Sequence, residues 1–112
     1  MCAWYRLSGT VRLRRGPEVD AIIEELRGLR GDEFEVIVRA AGPDAIELTL
    51  LGDSEFTDAE ADELDDLLRS LGRHALEPGV FIGEYDGELR VVAVDPADWP
   101  APAGIPVAGI VR

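Results

Sequence analysis

The amino-acid sequence predicts an α+β fold in which one antiparallel sheet carries two helices on a single face. Three observations lead there. Alternating apolar residues recur in five segments, two further segments carry apolar residues at helical spacing, and two of the connections are short turns suited to hairpins. With 112 residues the chain has the length of one domain. A domain of that size buries roughly two-thirds of the surface its unfolded chain exposes.

From Ala3 to Leu13, Tyr5, Leu7, Val11 and Leu13 fall on one side and Arg6, Ser8, Thr10 and Arg12 on the other, which is the pattern of a half-buried strand. Gly16 and Pro17 punctuate it. Proline suits a first helical position, and Val19, Ile22, Ile23, Leu26 and Leu29 follow at helical spacing until Gly31 offers a left-handed stop. The first helix is thus predicted over 17–30. Glu33 to Ala40, with Phe34, Val36 and Val38, and Ala45 to Leu51, with Ile46, Leu48 and Leu50, form a hairpin around the turn AGPD.

Thr57, followed three residues later by Glu60, reads as a capping box that starts the second helix. Leu64, Leu67, Leu68 and Leu71 supply its buried stripe, and Gly72 is placed to end it. Val80 to Tyr85 and Glu88 to Val94 then flank Asp86-Gly87, a pair that tolerates the positive backbone angles of a two-residue hairpin turn. The last 18 residues hold four prolines and no clear period. Residues 1–95 therefore read as the α+β domain and 96–112 as an irregular Pro-rich tail, with a short strand expected at Val107 to Val111.

The resulting order, βαββαββ, resembles the split βαβ, or ferredoxin-like, arrangement in its first six elements. Right-handed crossovers then place the strands in the order 2-3-1-4-5.

The chain carries 23 acidic and 11 basic residues, a net charge of −12, and every base is arginine. That balance argues against non-specific nucleic-acid binding, which needs a basic footprint to release counterions. Compositional bias or adaptation to high salt accounts for such a surface as readily as function does. Cys2 is the single cysteine, so no disulfide within the chain is available. No long apolar run or basic leader is present, and a soluble cytoplasmic protein without a membrane segment is expected.

Catalysis needs unlike groups that converge, and the chain offers one histidine, one cysteine and three serines, at 8, 54 and 70. His74 is read as a cation near the carbonyl end of the second helix. No catalytic residue, cofactor or metal site is expected: Asp53, Glu55 and Asp58 lack the glycine and final glutamate of a calcium loop. A weaker alternative has Asp53, Glu55 and the Glu84 to Glu88 turn converging on a divalent ion.

Two surfaces stand out instead. Between Asp53 and Asp66 there are eight carboxylates and no base. The pairs Asp58/Asp62 and Asp62/Asp66 oppose helix formation by a few tenths of a kcal/mol each, about 0.2–0.5. An acidic face made of Asp53, Glu55, Asp58, Asp62, Glu63, Asp65 and Asp66 is expected to meet a basic protein partner. Inhibitors, immunity proteins and antitoxins are the loose analogy. The second surface is the sheet face turned away from the helices. It is expected to display Trp4, Arg6, Thr10, Arg12, Ile37, Arg39, Thr49, Leu51, Phe81 and Tyr85, and offers the alternative reading of a small structural or regulatory subunit that self-associates as a homodimer through this face, unless the tail around Trp99 covers it.

Overall fold

The computed structural model describes residues 2–30 and 34–96. In chain order the elements are β1 (Cys2–Arg14), α1 (Pro17–Arg30), β2 (Phe34–Ala40), β3 (Ala45–Thr57), α2 (Asp58–Ser70), a 3-10 turn (Leu71–His74), β4 (Gly79–Tyr85) and β5 (Glu88–Val94). The strands form one open antiparallel sheet in the order β2-β3-β1-β4-β5. Among the described residues, no helix is long and apolar enough to cross a membrane.

One cluster makes the core. Tyr5, Leu7, Val11 and Leu13 of β1, with Leu48, Leu50 and Phe56 of β3 and Val92 and Val94 of β5, meet Val19, Ile23 and Leu26 of α1 and Ala61, Leu64 and Leu68 of α2. All lie on the same side of the sheet, as the two-residue period of each strand requires. The capping box forms: the Glu60 amide donates to Thr57 Oγ1 at 3.1 Å and the Thr57 amide to Glu60 Oε1 at 2.9 Å. Asp86 and Gly87 have φ of 54° and 81°, the paired positive angles of a type I′ turn between Tyr85 and Glu88.

Three local expectations are corrected. β3 does not stop at Leu51. Gly52, Asp53 and Ser54 have turn-like chemistry, yet β1 offers a partner along its whole length, from Cys2 opposite Thr57 to Arg14 opposite Ala45, so the ladder continues straight into α2. Nor does Gly72 end the helix through a left-handed residue; Leu71 keeps right-handed geometry and the chain tightens into the 3-10 turn.

The third correction concerns β4. Phe81 and Tyr85, expected on the open face, point into the core at 0% and 7% exposure. The reason is tertiary. Phe81 lies opposite Gly9, and Gly83 lies opposite Leu7, so each glycine leaves room for a bulky side chain across the ladder. A Cβ on Gly9 would come within 2.6 Å of Phe81 Cδ1. Gly31, most of the Pro-rich tail (97–112) and the strand expected at Val107 to Val111 lie outside the described residues.

Candidate functional site

The acidic run does not form one surface. Asp53 and Glu55 belong to β3 and project from the open face of the sheet, opposite the helices. Glu60 is engaged in the cap. Asp65 is buried at 3% exposure, because it sits on the same helical stripe as Ala61, Leu64 and Leu68. Asp58, Asp62, Glu63 and Asp66 remain exposed on α2. Of these, Asp66 Oδ1 accepts from Arg69 Nη1 at 3.3 Å, and Asp62 Oδ1 lies 3.6 Å from Arg90 Nη1.

Asp65 is the centre of a polar network inside the apolar core. Its Oδ1 accepts from the Tyr5 hydroxyl and its Oδ2 from Arg90 Nη1. The Arg90 guanidinium lies 5.0 Å from the Tyr85 ring centre and 5.7 Å from that of Tyr5, and both negative π faces favour its charge. The Tyr85 hydroxyl points between the Phe56 carbonyl oxygen at 3.0 Å and Asp58 Oδ1 at 2.8 Å. Three strands and a helix thus contribute five polar side chains and β3 the Phe56 carbonyl, and each of the buried groups has a partner, as its burial demands.

The titration behaviour follows. Burial raises the Tyr5 phenol above its ordinary range, helped by the hydrogen bond to Asp65 and its charge. Tyr85 is pushed up to about 12 by burial together with the hydrogen bond and charge of Asp58. For Arg90, burial disfavours the cation, but the hydrogen bond and charge of Asp65, with Tyr5 and Asp62 beyond, outweigh it and raise the pKa. The two phenols and the Arg90 guanidinium are thereby held protonated across the neutral range. The network is built as a clasp, not as a poised acid or base.

The open face is different in kind. The strand registers arrange it in rows. One row runs Glu35, Leu51, Ser8, Ile82, Val91, and the next Ile37, Thr49, Thr10, Val80, Ala93. Charged rows flank them: Asp53, Arg6, Glu84 on one side and Arg39, Glu47, Arg12 on the other. Trp4 stands beyond the first charged row, opposite Glu55. The apolar residues are well exposed, from 41% at Val80 to 52% at Ile82, 54% at Val91 and 73% at Leu89. Small side chains on β1, with Thr10 and Thr49 hydroxyl oxygens 3.0 Å apart, make the centre of the face shallow. A cleft of about 550 Å³ lined by Trp4, Arg6, Asp53, Glu84 and Asp86 continues it at one end.

Comparison with known proteins adds nothing to this geometry. The chain matches no protein-family model, no curated protein and no solved structure.

Trp4, Arg6, Arg12, Ile37, Arg39 and Leu51 all lie on the open face, where the alternation puts them. Val80, Ile82, Leu89 and Val91 were missed. Their signal was present in β5, where Leu89 and Val91 alternate with the buried Val92 and Val94 side, but β4 is apolar on both sides and alternation alone does not orient it. His74 Nε2 is buried without a hydrogen-bond partner, 3.9 Å from Glu18 Oε1, and so faces α1 across the helix layer. Among the described residues, no group of three or more His, Cys, Asp or Glu side chains is arranged to hold a metal ion.

Proposed function

We propose that the chain is a non-enzymatic structural or regulatory subunit that works by pairing with a second copy of itself through the open sheet face. One observation carries the reading: Leu51, Ile82 and Val91 in one row and Ile37, Val80 and Ala93 in the next, with only small polar side chains between them, reach the β5 edge of the sheet, and charged residues of β1, β3 and β4 flank them. Contiguous exposed apolar patches of this kind mark interfaces, and an apolar centre with a polar rim is how interfaces are organised. Burying the exposed half of Ile82 and Val91 contributes about 1 kcal/mol per side chain, at about 25 cal/mol per Å².

The strand order supports a finer fold assignment as well, the ferredoxin-like split βαβ extended by one edge strand, β5. An exposed free thiol at Cys2 fits a reducing, cytoplasmic setting. Light scattering across a concentration series tests the function. The wild type is expected to be dimeric at micromolar concentration, with a melting temperature that rises with concentration, and Ile82→Glu to be a cooperatively folded monomer whose melting temperature does not. A wild type that stays monomeric throughout, or an Ile82→Glu variant as dimeric as the wild type, overturns the reading.

A basic protein partner on α2 remains a second reading. It rests on Asp62, Glu63 and Asp66, which stay exposed around a depression of about 540 Å³ on the helix. Changing those three to their amides should abolish salt-sensitive capture of a basic protein if that surface recognises one. Unchanged capture removes it.

A further inference from the structure

The open face also carries information on how two copies would meet, and an inference about it rests on the pairing reading above. Two antiparallel sheets stack face to face about 10 Å apart with their strands within about 30° of alignment. A closed pair has a two-fold axis lying between the sheets. The charges on the face discriminate among the places where that axis can run.

An axis perpendicular to the strands lays one charged row on the other. Arg6 then faces the second copy's Arg12, and Asp53 faces its Glu47, so like charges meet on both central strands. An axis along β1 sets Arg6 against itself and Asp53 against Glu84. An axis along the strands between β1 and β3 satisfies the charges but leaves Val91, on the edge strand, without a facing strand. The arrangement that seats the most exposed apolar residues, those of β4 and β5, is favoured over it. With the axis parallel to the strands and between β1 and β4, Arg6 of each copy faces Glu84 of the other. Val91 faces Leu51, Ile82 and Val80 sit over the small Ser8 and Thr10, Asp53 faces Leu89, and β2 with the less exposed Ile37 lies outside the contact.

We infer that the chain forms a two-fold dimer whose axis runs parallel to the strands between β1 and β4, with reciprocal Arg6–Glu84 pairs closing one side of an apolar centre. Large side chains over small ones give the interdigitation that stacked sheets require. Two opposite-charge pairs per dimer set the register, since like-charge juxtaposition at an interface costs several kcal/mol.

The inference yields a test by mixing. Arg6→Glu places glutamate against glutamate twice in its own dimer, and Glu84→Arg places arginine against arginine twice. Each variant alone should dimerise at least about tenfold more weakly than the wild type in sedimentation equilibrium. Mixed in equal amounts they should form a heterodimer, seen by native mass spectrometry, because every facing pair is then of opposite sign. Both positions are exposed, and melting curves of the single variants check that the monomer fold survives. A wild-type dimer that Ile82→Glu dissociates, together with mixed variants that form no heterodimer, overturns this axis while the pairing reading stands. A wild type monomeric at all concentrations, with the face taken instead by the chain's own 97–112 segment or by a foreign partner, overturns both.

Discussion

Arg90→Met is the substitution that tests the buried network most sharply. The two members of its central ion pair are unequally placed: the Arg90 side chain is 28% exposed and that of Asp65 is 5% exposed. Methionine keeps much of the apolar stem but removes the cation, and leaves the Asp65 carboxylate in the core with the Tyr5 hydroxyl as its remaining partner in the network. Breaking a buried pair from that side costs about 3–5 kcal/mol. Asp65→Asn is the milder lesion. Its amide oxygen still accepts, and the cation it leaves behind reaches water and stays 3.6 Å from Asp62, so the loss is about 1.5–3 kcal/mol, that of a hydrogen bond to a charged group. In a domain of this size each kcal/mol moves the midpoint by about 4 °C or more. Arg90→Met should therefore melt about 12 °C or more below the wild type, and further below it than Asp65→Asn. Urea denaturation measures the same order through the transition midpoint. The double variant Asp65→Leu/Arg90→Met should recover most of the loss, because replacing both charges by apolar groups of similar volume is close to neutral. A ranking with Asp65→Asn the more damaging, or an Arg90→Met cost under about 1 kcal/mol, would refute the claim that the carboxylate is buried and depends on Arg90.

Two further outcomes follow from the same geometry. The chain has two tyrosines, and both belong to the network. Tyrosinate absorbance of the folded protein should therefore show no ionisation at the ordinary phenol value of about 10, and Tyr85 should titrate at about 12. Since both folded values are raised, their stabilisation is fully present below about pH 10 and declines as pH rises through about 12, so alkaline unfolding should begin between those limits. A phenol that ionises near 10 before unfolding contradicts the network. On the other side of the sheet centre, Gly9→Ala forces a Cβ to within 2.6 Å of both Phe81 Cδ1 and the Val80 carbonyl oxygen. It should destabilise by about 1–3 kcal/mol as an overpacked core position. A melting temperature equal to that of the wild type means that β4 is not seated over Gly9.

The contrast between what the sequence shows and what it hides is physical. β1, α1 and both hairpins are legible because their signals are local: alternation in Tyr5 to Leu13, helical spacing in Val19 to Leu26, positive φ at Asp86-Gly87. The facing of β4 is not local. Val80, Phe81 and Ile82 are all apolar, and the choice between them is made by two glycines, one of them on a strand some 70 residues earlier in the chain. The continuation of β3 past Gly52 is likewise decided by the length of its ladder partner, not by its own residues. Asp65 lies between these cases. Its place four residues after Ala61 and three before Leu68 put it on the buried stripe, but the partners that make burial tolerable, Tyr5 and Arg90, come from opposite ends of the sheet-forming sequence.

The crowding of carboxylates in FTDAEADELDD now divides into separate tasks. Glu60 caps the helix, Asp58 holds Tyr85, Asp65 anchors the core clasp, and Asp62, Glu63 and Asp66 form an exposed anionic layer. That layer bears on the proposed pairing. A chain with an adhesive sheet face and an equally adhesive helix face could stack without limit, because a contact between unlike faces does not close on itself. Here the outer surface of α2 is anionic, and a second α2 brought against it meets like charge. In the proposed pair the rows of the sheet are the face on which two copies would meet, and such a pair would present anionic helices on both of its outer sides. On the proposed pairing, association would stop at two.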